Sequence, residues 1–147
     1  MTSTVDADKL RIFTAWHDTV RNRDLPATAA LYSEDAILET PLALAVYPER
    51  YSGLVIGRAS ILTFFEDSLR KFPSNLGQWY RTGVMFVNGN QLTWEYPRAA
   101  PSGDQVDLIE MMEIESGLIV NHRVYWGWYG VRLLARALAS TDTGTSG

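Results

Sequence analysis

Between Asp8 and Asn22 the apolar side chains fall at Leu10, Phe13, Trp16 and Val20, with His17 on the same stripe. That three-and-four spacing predicts a helix with one buried face. A short second helix is predicted from Pro26 to Tyr32, with Asp24 at its N-cap and Pro26 in its first turn. Ala36 to Thr40 reads as a strand ended by Pro41. Leu42 to Val55, which holds Pro48 and Gly53, reads as a long loop that could rim a pocket. Gly57 then opens a helix to about Lys71, with Ile61, Leu62, Phe64, Phe65 and Leu69 as its apolar stripe and Pro73 as its stop.

Beyond Pro73 the period drops to two. Trp79 to Val87 and Gln91 to Tyr96 flank Asn88-Gly89-Asn90, a hairpin signal because Asn and Gly tolerate the positive φ of a tight turn. Pro97 to Gly103 is a turn-rich link. Gln105 to Glu115 and Leu118 to Trp128 flank Ser116-Gly117 as a second hairpin, and Val131 to Leu138 reads as a C-terminal helix. Ala139 to Gly147, rich in Ser, Thr and Gly, reads as a flexible tail. No repeat or linker divides the chain, so one domain is expected over residues 1–138, followed by the tail. Helices first, one strand, a helix, then four antiparallel strands make an α+β sheet with helices on one face.

Strict alternation along Gln105 to Glu115 puts Val106, Leu108, Glu110, Met112 and Ile114 on one face. Only Glu110 breaks its apolar character. A carboxyl in such a setting either finds partners or is pushed towards its neutral form, and a Leu in its place would complete the apolar face. On the next strand the inward set is Leu118, Val120, His122, Val124, Trp126 and Trp128, against Ile119, Asn121, Arg123 and Tyr125 outside. His122 interrupts that face as Glu110 does its own, so the two could share a proton or a substrate. Each could instead be a hydrogen-bonded part of an ordinary core. His17 is read as a boundary residue, and Trp16 beside it needs a partner for its indole N–H if buried.

Composition narrows the partners. Five Trp and seven Tyr among 147 residues supply large flat side chains for lining a ligand site. A net charge of −4 without any block of Lys or Arg gives no footprint for nucleic acid or an anionic membrane. The absence of Cys removes thiolate chemistry, and two His at 17 and 122 have no metal-ligand spacing, so no metal is expected. No basic segment followed by an apolar run opens the chain, and a cytoplasmic protein is the expectation.

Three segments carry a resemblance. Ala30-Leu31-Tyr32-Ser33-Glu34-Asp35-Ala36-Ile37-Leu38-Glu39-Thr40-Pro41 resembles the ketosteroid isomerase stretch in which an acidic pair precedes a strand ending in Glu-Asp-Pro. Gly57-Arg58-Ala59-Ser60-Ile61 with Phe64 to Leu69 is similar to that family's third helix, and Gly117 to Trp126 to the closing hairpin of SnoaL-like proteins. The order and spacing resemble the SnoaL-like and ketosteroid isomerase branch of the NTF2-like superfamily. The resemblance implies a cone in which a curved, mostly antiparallel sheet carries helices on its concave face and encloses one apolar pocket. It also implies a homodimer, and the apolar content of the outer sheet face at Ile109, Met111, Ile119 and Tyr125 points the same way.

By the same resemblance Glu110 falls where the isomerases place a protonated Asp, Trp16 on the Tyr of their oxyanion hole, and Tyr32 on a supporting pocket Tyr. Thr40 replaces their proton-shuttling Asp, and Val124 replaces the catalytic Asp of SnoaL-type cyclases and an acid of limonene epoxide hydrolases. The expectation is a cofactor-free enzyme that moves a proton on a hydrophobic cyclic or polyketide-like carbonyl compound, by isomerisation, dehydration or aldol-type cyclisation. His122 would be its base, and Glu110 with Trp16 would steady the enolate. Tyr32, Thr40, Phe65, Trp94, Met112, Val124 and Trp126 would shape the pocket. Epoxide hydrolysis and non-catalytic binding of an apolar small molecule are the alternatives.

Overall fold

The computed structural model describes residues 4–73, 84–96 and 106–142. Helix α1 spans Thr4–Arg21 and α2 Leu25–Ala29; strand β1 spans Tyr32–Glu39, α3 Leu42–Val46, β2 Leu54–Ile56 and α4 Arg58–Lys71. The second half holds β3 Phe86–Asn88, β4 Gln91–Tyr96, β5 Leu108–Glu115, β6 Leu118–Trp126 and α5 Trp128–Asp142. The strands form a single curved, unclosed sheet in the order β2-β1-β6-β5-β4-β3. Every pairing is antiparallel except β1 with β6, which joins the early strand to the late meander. Helix α1 lays Phe13, Trp16 and His17 against Trp94, Tyr96 and His122 of the sheet, and α4 lays Phe65 against Tyr32, so both cover the same face. Among the described residues no helix is long and apolar enough to cross a membrane.

Local chemistry accounts for the element ends. Asp24 caps α2, its Oδ1 accepting from Ala27 N at 3.1 Å, with Pro at the first turn. Ser116 and Gly117 have φ of 49° and 76°, the double positive φ that a two-residue hairpin turn needs. The Leu42 to Val55 stretch is more ordered than a loop, because α3 and β2 lie inside it. Its return is fixed by Thr40 N donating to Gly53 O at 2.9 Å, and a Cβ on Gly53 would stand 2.8 Å from that same Thr40 carbonyl. Only glycine lets the two segments approach so closely.

Three further expectations are corrected. On α1 the buried stripe is Lys9, Ile12, Phe13, Trp16 and His17, while Leu10 is 47% exposed, so the face is rotated towards Ile12. Strand β6 ends at Trp126, because Gly127 N turns to Asp107 O and Val131 N to Gly127 O; Trp128 therefore opens α5 and is exposed instead of facing inward. Helix α5 runs on to Asp142, four residues past its expected end. The outer part of the first hairpin, Trp79 to Gly83, the link Pro97 to Gly103, Gln105 and the last five residues lie outside the described residues.

Candidate active site

Alternation on β5 is as the sequence predicts: Leu108, Glu110, Met112 and Ile114 are buried, and Ile109 and Glu115 are exposed. On β6 it breaks once. Glu113 pairs with Asn121 but Ile114 with Ile119, so Val120 is an extra, unpaired residue of a β-bulge. Ile119 thereby turns into the core with no exposed surface, and it leaves the outer face on which strict alternation had put it. Leu118 and Val120 are only half-buried. Beyond the bulge the expected phase resumes, and His122 is buried beside Glu110.

The register fixes the neighbourhood. Glu110 stands opposite Trp94 on β4 and Val124 on β6; His122 stands opposite Met112 on β5 and Leu38 on β1. Glu110 and His122 are therefore diagonal neighbours, about 7–8 Å apart at the backbone, a span that two long side chains close. His122 Nε2 and Glu110 Oε2 form a short hydrogen bond, with the two side chains only 2% and 7% exposed, so little water reaches the pair. The other imidazole nitrogen, Nδ1, lies 2.7 Å from the Tyr32 hydroxyl, and Trp16 Nε1 donates to the same hydroxyl at 3.3 Å.

This chain has one assignment of protons that satisfies every member. Tyr32 has a single O–H; accepting from Trp16, it donates to His122 Nδ1, so the imidazole proton sits on Nε2 and points at the Glu110 carboxylate. The reverse order would leave the Tyr32 proton without an acceptor among the described residues. Burial pushes the Tyr32 phenol well above its usual range, so it remains a neutral donor. Glu110 Oε1 has no hydrogen-bond partner among the described residues. The arrangement is thus a carboxylate oriented by one oxygen and open at the other, in apolar surroundings.

The SnoaL-like domain model matches residues 13–122, about three quarters of the chain and all four members of this network. The chain belongs to the SnoaL-like domain family. Among curated proteins no relative matches it. Solved structures share the fold of this SnoaL-like domain at low identity. A candidate isomerase from Bacillus subtilis is 17% identical with a TM-score of 0.66, covering 91% of this chain and 96% of its own. A candidate ketosteroid isomerase from Kribbella flavida is 20% identical with a TM-score of 0.57, covering 82% and 78%. A candidate polyketide cyclase from Sinorhizobium meliloti is 16% identical with a TM-score of 0.55, covering 78% and 93%.

Around the network the SnoaL-like domain assembles most of the residues named from sequence. Trp94 packs on Trp16 with ring centroids 5.3 Å apart, and Phe65 on Tyr32 at 6.0 Å. Met112 is fully buried opposite His122, and Val124 is half-buried opposite Glu110. Thr40 is buried two residues beyond Leu38, but its Oγ1 accepts from Leu42 N at 3.3 Å and holds the start of α3. Trp126 lies one rung away from the pair, opposite Leu108, with its ring against Gly130 of α5. Glu39, next to Thr40, is exposed.

Two parts of the site escape sequence reasoning. Tyr32 is more than a wall: it joins the α1 indole to the β6 imidazole, across 16 residues on one side and 90 on the other. His17 is 2% exposed and not a boundary residue; its Nδ1–H donates to Phe13 O at 2.6 Å and its Nε2 lies 3.4 Å from the Tyr96 hydroxyl. Alternation on β4, which points Leu92, Trp94 and Tyr96 inward, is the signal that could have given His17 its partner. Among the described residues no group of three His, Asp or Glu side chains is placed to hold a metal ion.

Proposed function

We propose that this SnoaL-like domain catalyses proton transfer on a hydrophobic cyclic carbonyl compound without a cofactor, with Glu110 as the base. The observation that carries this reading is the engagement of both His122 nitrogens, which leaves Glu110 Oε1 as the open acceptor. In the step proposed, Oε1 takes a proton from the carbon next to the carbonyl, that C–H pair moves into the new C=C bond, and the carbonyl oxygen becomes the oxyanion. His122 orients the carboxylate and supports its charge through Nε2–H, while Tyr32 and Trp16 hold the imidazole in that tautomer. The base role first assigned to His122 thereby passes to Glu110. Return of the proton at the same carbon gives exchange; at a conjugated carbon it gives isomerisation, and attack of the enolate on a second carbonyl gives cyclisation.

The test uses 2-tetralone, an apolar cyclic ketone with acidic C–H groups. In D2O the protein should speed deuterium uptake at those carbons, and Glu110→Gln should remove about two to four orders of magnitude of that acceleration. Uptake that is identical in wild type and Glu110→Gln would refute this role. A wild type that binds the ketone and returns it unexchanged would make the domain a binding protein.

A further inference from the structure

A buried indole N–H ordinarily has an acceptor, and Trp94 is an exception. Its ring is 2% exposed, and its Nε1 has no hydrogen-bond partner among the described residues. The ring is held on several sides: Phe13 meets it edge-on at 5.3 Å, Trp16 lies at 5.3 Å and His17 at 4.9 Å. Trp94 is also the residue directly across from Glu110 on the neighbouring strand. The residue that carries a donor without an acceptor and the residue that carries a carboxylate oxygen without a donor are thus register partners on the inner face, and the two groups form no hydrogen bond with each other. Trp16, whose indole was expected to serve the enolate, has its N–H directed to Tyr32.

We propose that the Trp94 indole N–H donates to the substrate oxygen while Glu110 takes the proton from the adjacent carbon. The proposal rests on the reading of Glu110 as the base and narrows the substrate to a flat, apolar compound with the carbonyl oxygen and the acidic C–H on neighbouring atoms. As the C–H bond breaks and its electron pair passes towards oxygen, the Trp94 N–H meets a growing negative charge, the condition under which a fixed donor contributes most. Trp94 is then a catalytic residue, and the aromatic cluster of Phe13, Trp16 and His17 keeps its ring from turning away.

The probes are 2-naphthol, a flat stand-in for the enol of 2-tetralone, and naphthalene, which has the same shape without oxygen. With protein labelled at the indole nitrogens, 2-naphthol should move one N–H signal downfield, identified as Trp94 by its through-space contacts to the Phe13 and His17 rings; naphthalene should not. Trp94→Phe should bind naphthalene like wild type but bind 2-naphthol about tenfold or more weakly, and should slow tetralone exchange by a similar factor or more. If exchange depends on Glu110 while Trp94→Phe changes neither 2-naphthol affinity nor exchange, the proposal falls and the reading of Glu110 stands. Exchange indifferent to Glu110, or no binding of 2-naphthol at all, overturns both. Should Trp94→Phe fail to fold, the wild-type signal decides alone: no downfield movement on saturation with 2-naphthol ends the proposal.

Discussion

At the scale of single residues, the bond between Glu110 and His122 separates stability from chemistry. Glu110→Gln keeps a carbonyl oxygen for the His122 Nε2–H, so urea unfolding should change little while proton transfer is lost. Glu110→Leu completes the apolar face of β5 but leaves that buried N–H without an acceptor, a loss of about 1–3 kcal/mol that exceeds what the added apolar contact returns. The apolar face alone favours a neutral or stabilising Leu, and the bond from the His122 Nε2–H reverses that expectation. A Leu variant as stable as wild type in urea would mean that the bond does not hold the strands together. His17 supplies a pH dependence. Desolvation holds its imidazole below the ordinary 6.5, against the opposing pull of the Phe13 carbonyl; Arg21 acts with burial, Glu110 and Asp18 against it. The unfolded chain therefore binds more protons in that range, so stability rises with pH; the contribution is complete above about 6.5 and lost as pH falls below it. His17→Gln should flatten the fall in melting temperature between pH 6.5 and 5, and an unchanged slope would assign it to other groups.

At the scale of elements, what could be read followed from period and length. Helices α1 and α4 and strands β4 and β5 repeat their patterns long enough to be seen, and Glu110 stood out because it broke one. Helix α3 and strand β2, five and three residues long, are too short to establish a period, and the residue at the N-cap of α3, Pro41, has no side chain that caps it. Strand β1 was expected from Ala36 but begins at Tyr32, since it takes five steps from Tyr32 to Ile37 where β6 takes two from Ile119 to Asn121. That irregular stretch is why Tyr32 was legible as an aromatic but not as the link between Trp16 and His122. The β5–β6 turn offers a direct test of local strain. Ser116 occupies the left-handed region at φ 49°, which costs a residue with a Cβ about 1–2 kcal/mol and costs Asn less. Ser116→Asn should raise the melting temperature by about 2–3 °C; a drop would mean that the Ser side chain contributes more than the backbone strain removes.

At the scale of the whole molecule, the outer face of the sheet is the surface left to explain. Ile109 and Tyr125 lie opposite each other there, 39% and 54% exposed, next to half-buried Met111 and the ion pair of Arg123 with Glu113 at 3.0 Å. With Ile119 withdrawn into the core the apolar area is smaller than the sequence suggested, yet it is continuous across two strands. The predicted assembly remains a homodimer through this face. Light scattering at micromolar protein should give twice the chain mass, and Tyr125→Glu with Ile109→Glu should return the monomer while leaving the inner-face aromatics packed. Monomer mass for the wild type over that range would remove the face from consideration.

The bulge at Val120 has a consequence for how this chain is compared with its relatives. On β6, Ile119 and His122 share a face although they are three positions apart, a spacing that strict alternation assigns to opposite faces. A pairwise alignment to a strand without the extra residue is correct only if its one-residue gap falls at Val120. Placed after His122, the same gap would match the imidazole to an outward position and put Asn121 in the site. Any inference by homology about the histidine thus depends on a residue whose own side chain has no part in the chemistry.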